Sequence, residues 1–278
     1  MNANGKASRW RVTAIAVGLG FLYLPLLAVV IYSFNASRLV TVWAGFSLRW
    51  YGELFADDQI LAAAGVSLMA ATLSATLATI IGTTAGFALA RFGPFRGRAL
   101  FAGTVTAPLV MPDIISGLSL LLLFVALEQA LPWMPGRGLA TIVMAHATLG
   151  LSYVAVVVQA RVVGQDRAIE DAAADLGARP ATVFRRVTLP LMVPAVAAGW
   201  LLAFVLSFDD LVIASFVAGP QSTTLPMVVF SSIRLGVSPK INALATLLLL
   251  ATGLMLTAAG ILARRALPKP NAATAQAR

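Results

Sequence analysis

Hydrophobic residues in this chain come in long runs separated by short polar segments. A helix needs about 20 apolar residues to cross about 30 Å of hydrocarbon. Six runs meet that length: residues 12–33, 60–90, 99–127, 139–160, 191–217 and 241–263. The first follows Lys6, Arg9 and Arg11, and its apolar core exceeds the roughly 7–15 residues of a signal-peptide core. It is therefore expected to stay as a membrane anchor. The tail "PKPNAATAQAR", residues 268–278, has no apolar periodicity and is expected to be disordered.

Within the runs the pattern is uneven. In the second, Ala70, Ser74, Ala78, Gly82, Gly86 and Ala90 recur every four residues, which places small side chains on one helix face. Such a face lets another backbone approach closely, although a helix this rich in alanine also produces the stripe by chance. The third run is interrupted by "APLVMPDIISG", with Pro108, Pro112, Asp113 and Gly117 in its middle. Each proline removes a backbone donor. Lipid cannot satisfy the freed carbonyls, so a broken helix has to be packed in protein or line a wet cavity. The fifth run carries "LSFDDLVIASF", with Asp209 and Asp210 adjacent. On a helix they point about 100° apart, so at most one faces a central path.

The composition fits this reading: 278 residues, 59% hydrophobic and only 11% charged, with mean hydropathy +0.89. The fold class expected is all-α integral membrane, a bundle of six crossings. With no cysteine, disulfides and thiolate metal sites are excluded. A net charge of +9 could suggest nucleic acid. In a membrane chain, however, excess arginine marks the loops kept on the cytoplasmic side. Fifteen of the twenty basic residues fall in 1–11, 91–98, 161–190 and the segment after 263; Arg38, Arg49, Arg137, Arg234 and Lys240 fall on the other side. Both termini are thus expected in the cytoplasm, and no nucleic-acid partner is expected.

Ionisable groups at membrane depth are candidate functional sites. Asp113, Asp209 and Asp210 are the candidates for a solute path, and neither apolar core holds a lysine or arginine to neutralise them. Carboxylate-lined paths attract cations. The rival reading makes these acids interhelical hydrogen-bonding groups or a helix cap. His146, the single histidine, is read as an interhelical hydrogen-bonding group without a further role. One histidine excludes an HExxH metal site, and no nucleophile motif accompanies it.

Between the fourth and fifth runs lies "EDAAADLGARPATVFRRVTLP", residues 170–190, three acids and three arginines in an otherwise oily chain. Asp166 can cap a short helix, Gly177 stands where a helix stops, and Pro180 suits the first turn of another. Pro190 and Pro194 are expected to end that second helix and open the fifth crossing. The segment reads either as a docking element or as an amphipathic connector lying on the membrane.

This loop resembles that of the permease subunits of binding-protein-dependent ABC importers. Their pattern is Glu-Ala-Ala, three residues, Gly, nine residues, Ile, one residue, Leu-Pro. Aligned on Gly177 it falls on Asp171, Ala172, Ala173, Gly177, Val187, Leu189 and Pro190, with Asp for Glu and Val for Ile; Glu170 stands beside it as a second acid. "MPDIISGLSLLLLFVAL", "LSFDDLVIASFVAGP", "TTLPMVVFSSIRLGVSP" and "INALATL" are similar to the polyamine branch, its putrescine permeases above all. The resemblance implies a type I importer permease of the bacterial inner membrane, with 12–263 as the permease domain and 161–190 docking an ATP-binding subunit. It implies two copies of that subunit, a sister permease and a periplasmic solute-binding protein as partners. It places ATP and magnesium on the ATPase subunits and no cofactor here; "GxxxxGK[ST]" is absent, and the only lysines are Lys6, Lys240 and Lys269. The cargo implied is a polyamine, putrescine first. A different solute in the same importer class, or an ion-coupled secondary transporter, are the other readings.

Overall fold

A computed structural model describes residues 3–39, 42–131, 133, 136–236 and 238–266. In chain order its helices are α1 (Ala3–Tyr32), α2 (Arg49–Phe55), α3 (Asp58–Arg91), α4 (Arg98–Thr106), α5 (Asp113–Ala130), α6 (Leu139–Val163), α7 (Ala168–Asp175), α8 (Pro180–Val183), α9 (Leu189–Asp209), α10 (Val212–Val217), α11 (Leu225–Leu235) and α12 (Pro239–Ala266). Among the described residues no strand forms beyond one isolated antiparallel bridge between Asn35 and Phe46. Among the described residues, five helical stretches are long and apolar enough to cross a membrane: Trp10–Tyr32, Asp58–Arg91, Asp113–Ala130, Leu139–Val163 and Pro180–Asp209. The sixth expected crossing falls in α12, whose described apolar part is Pro239–Leu254. The disorder expectation for residues 268–278 falls outside the described residues.

The chain divides into two units, Met1–Asp58 with Ser231–Arg278, and Gln59–Phe230. In the first, α12 packs on α1 and α2. The loop after α1 is organised by Asn35, which is fully buried. Its side-chain amide donates to Val42 O at 2.7 Å and accepts from Ala44 N at 2.9 Å, and its backbone carbonyl accepts from Trp50 Nε1 at 2.6 Å. One asparagine thereby satisfies backbone groups that no sheet or helix would. Lys240, at the start of α12, pairs with Asp57 at 2.5 Å.

In the second unit the small-residue stripe of α3 is a packing seam. Ala70, Ser74, Ala78, Gly82 and Gly86 are all buried. A Cβ on Gly82 would stand 2.6 Å from Leu151 O, and one on Gly86 would stand 2.4 Å from Ala155 O, both on α6. The two backbones touch there, and only glycine permits it. α6 also packs along α9, around Val154, Val158, Val162, Met192 and Ala203. Such contact replaces the hydrophobic drive that lipid removes.

The third run breaks as its prolines predict. After α4 a 3-10 turn covers Ala107–Leu109, and α5 begins afresh at Asp113 after an extended Pro112 (ψ 137°). The fifth run departs from expectation in two ways. Pro190 and Pro194 do not end a helix: α8, a π-helical segment Phe184–Thr188 and α9 follow without a break, so Pro180–Asp209 is one helical stretch. In the π segment the Leu189 N–H reaches Phe184 O, five residues back. That wider turn shifts the hydrogen-bond register just before Pro190, which has no N–H to offer. Nor does the crossing run to 217: it stops at Asp209, Asp210 is extended (ψ 125°), and α10 starts at Val212.

Candidate functional site

Two groups of residues stand apart from the packing core, one in the charged loop and one at the two helix breaks. In the loop, Asp166 Oδ1 accepts from Ala168 N at 2.9 Å and starts α7. Gly177, two residues past the end of α7, has a φ of +83°, in the left-handed region. Ala178 N bonds to Ala173 O at 3.2 Å and Gly177 N to Ala174 O at 2.8 Å, the paired closure of a glycine-terminated helix. Apart from its chain neighbours, no described residue lies within 4 Å of where a Gly177 Cβ would stand. The corner presents open space and an exposed Leu176, 91% accessible.

The two acids of the loop have different surroundings. Glu170 Oε1 accepts from Arg91 Nη2 at 3.1 Å and from Thr188 Oγ1 at 3.0 Å. The Arg91 and Glu170 side chains are only 9% and 21% exposed. This carboxylate fastens α7 to the end of α3 and to the π segment. Asp171, next in sequence, is exposed, as are Ala172, Leu189 and Pro190, while Ala173 and Val187 are half-buried. The aligned positions are thus mostly at the surface, and Glu170 turns inward.

At the breaks, Asp113 opens α5 and Asp209 ends α9; both are exposed. Neither side chain has a hydrogen-bond or ion-pair partner among the described residues. A cavity of ≈ 150 Å³ lies against the first break, lined by Pro108, Met111, Ser116, Leu120, Thr148 and Ile213 among others. Asp210 is different. Its Oδ2 accepts from Ala214 N at 2.7 Å and its Oδ1 from Ile213 N at 3.3 Å, so it caps α10. His146 Nε2 lies 3.1 Å from the same Oδ2, and His146 Nδ1 lies 2.6 Å from Ser207 Oγ. Ser74 Oγ on α3 donates to Ser207 Oγ at 2.9 Å. Ser207, His146 and Asp210 match a hydrolase triad by residue type, but Ser207 is 8% exposed and held between Ser74 and His146. The array binds helices together and offers no open nucleophile. Sequence reasoning gave His146 a hydrogen bond between helices but missed that its partner is one of the candidate acids; 64 residues separate the two.

The sequence profile of the family described as "Binding-protein-dependent transport system inner membrane component" matches residues 78–269, which span the α3–α6 seam, the loop and both breaks. The chain belongs to this family. As an inner-membrane component of such a transport system it has close relatives. It is 60% identical over 248 residues to the putrescine transport system permease protein PotI of Escherichia coli (strain K12), covering 89% of this chain and 88% of that protein. It is 42% identical over 244 residues to the spermidine/putrescine transport system permease protein PotC of the same strain, covering 88% and 90%. Solved structures share the fold at low identity. A chain of a bacterial ABC transporter that imports the acidic polysaccharide alginate aligns with TM-score 0.73 at 12% identity, over 96% of this chain and 99% of that one. A chain of the MetNI methionine ABC transporter aligns at 0.59 and 17%, over 76% and 96%. The architecture is that of ABC importer permeases.

Proposed function

We propose that this chain is one half of the membrane pathway of an ATP-driven polyamine importer, with putrescine as the cargo. The observation that carries the reading is the 60% identity with a putrescine permease along 89% of the chain. The chemistry of the same stretches agrees with it. Two carboxylates, Asp113 and Asp209, stand exposed at breaks in membrane helices, with no lysine or arginine in either apolar core. An exposed carboxylate facing lipid is costly, so these acids face a wet pathway, where a dication compensates them. The largely apolar cavity at the first break suits a methylene chain between two ammonium groups.

In this reading a sister permease completes the pathway, two ATP-binding subunits hold the ATP and magnesium, and a periplasmic binding protein delivers the solute. No covalent chemistry occurs in this chain, and both termini lie in the cytoplasm. The loop around Gly177 seats on an ATPase subunit, with Asp171, Ala172 and Leu189 toward it. Its movement has a rigid route inward. Glu170 clamps α7 to Arg91 and Thr188, and from Pro180 the helix runs unbroken to Asp209, about 45 Å at about 1.5 Å per residue. ATP-driven closure at the loop is thereby felt at the acid that meets the cargo.

The test is the concentration dependence of labelled putrescine uptake by the assembled importer carrying Asp113→Asn or Asp209→Asn. Each is expected to raise the half-saturating concentration about tenfold, the scale of one lost charge contact, with unchanged complex yield. Wild-type uptake curves for both variants would refute the path assignment.

A further inference from the structure

We infer that His146 is a positioning residue: it holds Asp210 out of the solute path and ties the break between α9 and α10 to α6 and α3. The inference builds on the proposed transport function for one arm of its test and on geometry alone for the other.

His146 is 4% exposed, and both its ring nitrogens are engaged. Asp210 Oδ2, which already accepts from Ala214 N, needs a donor from His146, so the 3.1 Å contact puts an imidazole proton on Nε2. In the neutral ring Nδ1 then accepts from Ser207 Oγ at 2.6 Å. Ser74 Oγ stands within reach of both Ser207 Oγ, at 2.9 Å, and Ala71 O, at 3.2 Å. The contacts link α3, α9 and α6 and end on a carboxylate. Asp210 also receives Ile213 N and Ala214 N. Three donors from its own chain occupy most of the roughly four lone-pair sites of a carboxylate, which leaves little for a cargo ammonium.

The contrast with the preceding residue gives this arrangement a transport meaning. Asp209 and Asp210 are neighbours, yet one is exposed and unpartnered among the described residues while the other is 12% exposed at its side chain and fully engaged. Adjacent acids with such different surroundings have different tasks. Among the described residues His146 is the one side chain that donates to Asp210, and it does so where the backbone turns extended (ψ 125°) at the end of α9. A histidine retained only to fill space would not need both nitrogens aimed at the single point where the fifth crossing leaves helical geometry.

The test uses the full importer, with its sister permease, ATPase subunits and binding protein. Because the chain has no cysteine, Asp209→Cys and Asp210→Cys each place one thiol on it. A small cationic thiol reagent is expected to label position 209 about tenfold faster than position 210, following exposure; equal rates, or faster labelling at 210, overturn the inference. In uptake, His146→Leu is expected to lower the maximal rate about fivefold while the half-saturating concentration stays within about twofold, a coupling of ordinary size. His146→Gln, whose amide can both accept from Ser207 and donate to Asp210, restores part of that rate. The double variant His146→Leu with Asp210→Asn is expected to transport no worse than His146→Leu alone. Leucine matching or exceeding glutamine, or losses that multiply in the double variant, would show mere packing and overturn it. If the wild-type importer assembles but carries no polyamine, the cargo reading fails, and labelling of Asp209→Cys with and without His146→Leu decides the His146 assignment: a lower rate in the double variant supports it and an unchanged rate overturns it.

Discussion

At the scale of single residues, the informative feature is that neighbouring acids divide their work. Glu170 is drawn into a clamp with Arg91 and Thr188, whereas Asp171 stays exposed one residue on. Glu170→Gln leaves a largely buried guanidinium short of its counter-charge, a loss of about 1–3 kcal/mol. The expected outcome is a lower melting temperature for the purified protein. Asp171→Asn should leave the melting temperature alone and weaken capture of the ATPase subunit. A reversed pattern, with Asp171 controlling stability and Glu170 controlling capture, would contradict the division. Much at this scale was legible beforehand: Gly177 as a helix stop follows from its place after "AAADL", and its left-handed backbone bears that out. The Asp210–His146 pair was not legible. The two residues are 64 positions apart on different helices, and no local pattern encodes which acid a distant imidazole will meet.

At the scale of elements, backbone contact and helix register decide the geometry. The stripe on α3 could have arisen from alanine abundance alone; the 2.4 Å approach of Ala155 O to a Gly86 Cβ position makes it a seam. Gly86→Val would force backbone apart where nothing flexible can yield. Overpacking costs about 1–3 kcal/mol or more, so a marked loss of protease resistance in membranes is expected; Gly65→Ala on the same helix, whose Cβ position no described residue beyond its own helical turn approaches within 4 Å, serves as the control. Resistance unchanged in Gly86→Val would mean the seam does not hold. The expected stop at Pro190 failed for a physical reason. A proline interrupts a helix only if its missing donor cannot be bypassed, and the π turn from Phe184 to Leu189 bypasses it. Local propensity carries no sign of that register change. The breaks at Pro112 and Asp210 concern the same principle from the other side, since one was announced by prolines and the other only by two acids.

At the scale of the whole molecule, the runs of apolar residues and the loop pattern carried most of the information. Membrane insertion depends on long uncharged stretches, and docking on a spaced surface motif, and both are one-dimensional features. The division into two units and the inward clamp of Glu170 are three-dimensional and needed coordinates. The central claim is that this inner-membrane component carries polyamine, and it is tested most directly by labelled putrescine uptake into cells lacking this chain, with and without its restoration. Excess unlabelled spermidine, arginine and sulfate serve as competitors. The account predicts restored uptake that spermidine suppresses and arginine and sulfate do not. An importer that assembles at the membrane yet restores no putrescine uptake would contradict it.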